Sequence, residues 1–124
     1  MDTSFRQNEP IYLQLIERFK LSIVSGKLLP GDKLRSVRDL ALWAGVNPNT
    51  MQRALFELER NGLIYTQRTS GKFVTEDADI IGRVRRELAE AKTAEYLGYM
   101  RSLGLKTDEI LATIKEKEEE NANS

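Results

Sequence analysis

Three residues, Gly45-Val46-Asn47, separate two runs that can each be only a short helix, and a proline follows at once. Ser36 offers an N-cap, with Asp39 in capping-box position, so a helix is expected over Val37 to Ala44. Gly45 suits the left-handed residue that ends a helix, and Asn47-Pro48 supplies an N-cap followed by a proline at the first helical position. The next helix buries Met51, Ala54, Leu55 and Leu58 and stops at Asn61-Gly62. A link this short forces the two helices to cross steeply, which is the outline of a helix-turn-helix.

The flanking segments are consistent with that centre. Pro10 opens a first amphipathic helix carrying Tyr12, Leu15, Ile16, Phe19 and Ile23, and Ser25-Gly26 ends it. Lys27 to Leu34 holds a Pro-Gly-Asp turn between brief apolar stretches, predicting a loop with an edge strand. Leu63 to Arg68 and Lys72 to Thr75 are rich in strand formers around Thr69-Ser70-Gly71, predicting a hairpin. From about Asp79 a long helix runs to Gly104; Thr107 is expected to cap a last one, and Glu116 to Ser124 to fade into a charged tail. The expected fold is mainly α with a small β wing.

Charge divides the chain where the pattern changes. Up to Thr75 there are eleven basic residues against seven acids, and from Glu76 onward eight against twelve, although the whole chain is neutral. A basic front and an acidic back imply that the front meets a polyanion. Residues 1–75 are accordingly read as a DNA-binding domain; the two helices of 76–124 cannot bury their apolar faces on each other alone, and this part is read as a short α-helical dimerisation domain.

Cysteine and histidine are both absent, which excludes disulfides, thiol nucleophiles, imidazole bases and the usual transition-metal ligand sets. The chain is read as a non-enzyme, and no metal, nucleotide or covalent cofactor is implied. No apolar run approaches the roughly 20 residues that span a bilayer, and residues 1–8 lack a secretory pattern, so a cytoplasmic location is expected.

In a helix-turn-helix the second helix enters the major groove with its first residues against base edges. Here those are Asn47, Asn49, Thr50, Gln52 and Arg53: amides that can pair with adenine and a guanidinium that can pair with guanine. Arg35, Ser36 and Arg38 surround the start of the preceding helix, where a phosphate is favoured. Arg68, Ser70, Gly71 and Lys72 form the hairpin tip, small enough and basic enough to approach the minor groove. Asn47 can equally serve as an N-cap alone, and Arg53 can pair with Glu57. Trp43, Tyr65 and Phe73 are read as packing residues, and Tyr96 and Tyr99 as part of a seam or a small pocket.

Over residues 10–75 the chain resembles the GntR family of bacterial regulators. The motifs that carry the likeness are Pro10-Ile11-Tyr12, Leu29 to Leu34, Ser36 to Ala41, and Asn47-Pro48-Asn49-Thr50. The resemblance implies that Arg35, Arg38, Arg53, Asn47, Asn49 and Thr50 bind DNA and that Gly71 lies in the minor groove. The short helical remainder is similar to the YtrA-type subfamily, which implies a homodimer and repression of operons that include transporters. The seam would draw on Ile81, Val84, Leu88, Ala91, Tyr96, Leu97, Met100, Ile110, Leu111 and Ile114. The expected partner is double-stranded operator DNA arranged as an inverted repeat. Two other readings stand beside it: a ligand-responsive regulator with an effector pocket near the C-terminal helices, and a winged helix that binds a protein.

Overall fold

The computed structural model describes residues 4–123. Among these it contains five helices and one two-stranded antiparallel sheet: α1 Ile11–Val24, α2 Val37–Ala44, α3 Pro48–Arg60, β1 Ile64–Gln67, β2 Gly71–Val74, α4 Ala78–Ser102 and α5 Thr107–Ala122. The chain divides into two compact units, the first ending at Arg86 and the second beginning at Glu87, so α4 contributes to both.

In the first unit α1 and α2 both pack on α3, and α3 packs on β1. Leu15, Phe19 and Ile23 recur at helical spacing on α1 and meet a core made from Met51, Ala54, Leu55 and Leu58 of α3. Leu40, Ala41 and Ala44 of α2 and Leu63, Ile64 and Val74 of the hairpin are also buried. Each large side chain in this set contributes roughly 1.5–3 kcal/mol by leaving water. Gln14 is buried in α1 yet satisfied. Its Oε1 accepts from the Arg6 amide at 2.7 Å, and its Nε2 donates to the carbonyls of Arg6 and Glu9 at 2.8 and 2.9 Å, pinning the segment before α1.

β1 and β2 pair Ile64 with Val74 and Tyr65 with Phe73, whose rings stack with centroids 5.6 Å apart. The expected edge strand is a single bridge: Lys33 lies opposite Phe73, the Leu34 amide donates to the Lys72 carbonyl and the Val74 amide to the Asp32 carbonyl, both at 2.8 Å. These bonds fix the loop before α2 against the hairpin.

The first turns of α4 belong to this unit. Asp77 caps them, accepting from the Asp79 amide at 2.9 Å, and Ile81 and Val84 enter the core. Arg85 donates to the Val24 carbonyl at 2.8 Å and Arg83 to the Asn61 carbonyl at 3.0 Å, placing guanidiniums at the C-terminal ends of α1 and α3.

In the second unit Met100 and Ile110 are buried on either side of the turn at Gly104. Two expectations need correction here. The cap of α5 is Lys106, not Thr107: Lys106 is extended, its amide donates to Glu109 Oε1 at 3.0 Å, and Thr107 is the first helical residue. Nor does Glu116 onward fade into a tail, because α5 continues to Ala122. Lysine and glutamate are good helix formers, and Lys117 meets Glu120 one turn on at 3.4 Å, so a solvated charge run suits a helix here.

Candidate nucleic-acid interface

The turn between α2 and α3 is built as its residues dictate. The Ser36 hydroxyl accepts from the Asp39 amide at 3.1 Å, starting α2, and Asn47 Oδ1 accepts from the Asn49 amide at 2.8 Å, starting α3. Gly45 joins them at φ 68°, a left-handed conformation that a side chain disfavours. Its amide and that of Val46 donate to Leu42 and Ala41, closing α2 before the chain reverses.

Because Met51, Ala54, Leu55 and Leu58 take the buried side of α3, its first turns present the other side outward. Asn47, Asn49, Gln52 and Arg53 are exposed there and Thr50 is half-buried. Arg53 is oriented by a ring: its guanidinium carbon lies 3.7 Å from the centroid of Tyr12 on α1. The alternative partner, Glu57, meets Arg60 at 3.3 Å instead.

A groove of about 650 Å³ separates the start of α2 from the hairpin. Lys33, Arg35 and Ser36 line one side, and Arg68, Ser70, Gly71 and Lys72 line the other. The structure thus brings together two groups of expected residues that lie some thirty positions apart. Arg35, Arg38 and Arg68 are exposed, and none pairs with a carboxylate among the described residues, so their charge is available to an anion. Gly71 adopts φ 110°, and a Cβ there would meet Lys33 Cε at 3.4 Å. Glycine keeps this edge of the groove open.

Lys72 differs from its expected role as a free cation. Its side chain is only 18% exposed, donates to Thr66 Oγ1 at 2.9 Å and lies 3.5 Å from Glu59. Thr66 in turn donates to Glu59 at 2.6 Å, and that bond, helped by the Lys72 charge, holds the Glu59 carboxyl below the usual carboxylate range. Lys72 therefore fastens the hairpin to α3. Sequence reasoning missed Lys33 and Tyr12: Lys33 gains its place only through the bridge to Phe73, and Tyr12 only through the packing of α1 on α3.

Of the expected seam residues, Ile81 (7% exposed), Val84 (1%), Met100 (8%) and Ile110 (1%) are already covered by the chain's own fold and have little area left for a second subunit. Leu88 and Leu97 are half-buried, and Ala91, Tyr96, Leu111 and Ile114 are exposed. Tyr99 and Leu103 are exposed as well, at 64% and 57%.

A turn of this form, with a polar recognition face and a basic hairpin, is matched over residues 11–74 by the bacterial regulatory proteins of the gntR family. The chain belongs to the GntR family. It is 41% identical over 115 residues to the HTH-type transcriptional regulator YhcF of Bacillus subtilis, covering 93% of this chain and 95% of that one. It is 47% identical over 73 residues to the transcriptional repressor YtrA of the same organism, covering 59% of this chain and 56% of that one. Among solved structures, a GntR family regulator from Listeria monocytogenes superposes with a TM-score of 0.85 at 40% identity, over 90% of this chain and 98% of that one. The DNA-binding domain of AraR, solved in complex with an operator, superposes with a TM-score of 0.51 at 31% identity, over 60% of this chain and 88% of that one. The protein is thus a YtrA-like GntR transcriptional regulator with a DNA-binding helix-turn-helix, and not an enzyme. Among the described residues no helix is long and apolar enough to cross a membrane.

Proposed function

We propose that this GntR protein binds an inverted-repeat operator as a homodimer and represses transcription in the cytoplasm by occluding RNA polymerase. The observation that carries this reading is the exposed polar start of α3 beside three arginines that no carboxylate among the described residues neutralises. Asn47, Asn49, Gln52 and Arg53 read base edges, with Thr50 at their border. Arg35, Ser36 and Arg38 hold phosphate at the start of α2. Arg68, Ser70 and Gly71 reach the minor groove, with Lys72 supporting the hairpin.

Residues 1–75 serve as the DNA-binding domain, with the first turns of α4 packed into its core, and the rest of 76–124 serves as the dimerisation domain. Tyr96, Tyr99, Leu103, Leu111 and Ile114 are five large apolar side chains exposed within one short helical part, which supports a seam there. Repression is supported by the relative named as a repressor; a transporter operon is what the YtrA-type resemblance of the sequence implies. Footprinting on the DNA upstream of the protein's own gene tests the reading. Two protected patches related by inverted symmetry are expected, and Leu111→Asp should convert the dimer to a monomer in sedimentation and weaken both patches together. Protection of one patch only, by a monomer, contradicts the homodimer.

A further inference from the structure

A second groove, of about 390 Å³, opens on the first unit beside the one assigned to DNA. Phe19, Leu34 and Leu40 form an apolar floor, and Trp43, 41% exposed, stands as a wall. Lys27, Lys33 and Arg35 supply cations; among the described residues none of them pairs with a carboxylate and no Asp or Glu lines the groove. An apolar floor does not suit a phosphate, whereas an apolar body with one anionic end matches both parts of this surface, and the volume is within the range of small-molecule sites.

Lys33, Leu34 and Arg35 line both grooves. We propose that this groove binds a small carboxylic acid with an aromatic or branched aliphatic body, and that the bound acid competes with DNA phosphate for Lys33 and Arg35. The binding site stands on the groove alone, while the competition rests on the operator reading above. An acid that occupies Arg35 must weaken DNA binding, and DNA must weaken the acid by the same factor. The effector site is then inside the DNA-binding head.

Trp43 is the chain's only tryptophan, so its emission reports the groove directly. The full chain is titrated with phenylpropionate, with its uncharged amide, and with phenylpropionate against Lys27→Gln, a position that lines this groove and not the other. The acid should give a saturable change, with the amide weaker by about tenfold and the variant weakened comparably, as loss of a charge-assisted contact implies. Equal binding of acid and amide, no saturable change, or indifference to Lys27→Gln overturns the site. Saturating acid should then lower operator affinity in anisotropy titrations at matched ionic strength; unchanged affinity with the groove filled overturns the competition. Failure to bind DNA at all, with the Trp43 titration as expected, contradicts the operator reading and leaves the acid site supported.

Discussion

The Arg53 guanidinium lies 3.7 Å from the centroid of the Tyr12 ring, so a cation at the front of α3 is held by an aromatic side chain of α1. A long flexible side chain that must meet a base edge loses rotamer freedom on binding, and the ring removes part of that freedom in advance. The core packing of α1 on α3 thereby reaches the residue proposed to read sequence.

Tyr12→Phe preserves the ring and should leave operator affinity unchanged. Tyr12→Leu removes the π face and should weaken specific binding by about threefold to fivefold, the scale of one exposed cation–π contact. Titration against operator and scrambled DNA checks both, and equal behaviour of the two variants would contradict the positioning role.

Gly45→Ala isolates backbone strain, because no atom lies within 4 Å of a Cβ built there while φ is 68°. Urea denaturation should show a loss of about 1–2 kcal/mol. Gly45→Asn should recover part of it, since asparagine tolerates the left-handed region better.

Asn47 has two proposed roles, and one substitution separates them. Aspartate caps a helix as well as asparagine, so Asn47→Asp should keep the bond to the Asn49 amide and leave stability nearly unchanged. The new anion should still repel DNA and reduce operator affinity sharply. Asn47→Ala, by contrast, should lose about 1 kcal/mol of stability with the cap. Unchanged DNA affinity in Asn47→Asp would leave the residue as a cap only.

Acid should loosen the hairpin through Glu59. The Thr66 hydroxyl and the Lys72 ammonium favour its ionised form, so its folded pKa is below the unfolded one. The stability it contributes is present above the unfolded value and is lost as pH falls through the folded one. Glu59→Gln should therefore flatten the acid side of the stability–pH profile, below the ordinary glutamate range, and leave the profile near neutral pH with little slope in either protein. Thermal unfolding from pH 3 to pH 7 reads this difference, which is absent if Glu59 plays no such part.

Local chemistry made much of this chain legible. Ser36, Gly45, Asn47 and Pro48 each have one strong backbone preference, and α2 and the start of α3 fall where those preferences place them. The failures have physical causes. The run after Lys115 is charged enough to read as solvated tail, yet its lysine and glutamates favour helix. The apolar stripe of α4 does not say what covers it, so Ile81 and Val84 read as seam although the first unit's core takes them. Lys72 reads as a free cation because Glu59, thirteen residues earlier, meets it only after the hairpin folds onto α3. Tyr12 and Lys33 likewise acquire their roles through tertiary contacts that no local pattern encodes.

The central claim is that α3 and the arginines beside it bind a specific DNA sequence. Fluorescence anisotropy of the full chain against its own upstream DNA and a scrambled duplex, at two salt concentrations and with Arg38→Ala alongside, tests it most directly. A preference of about 10³-fold or more, falling steeply with salt and lost in the variant, is the predicted result. Equal affinity for both duplexes, or binding that Arg38→Ala leaves intact, would contradict it.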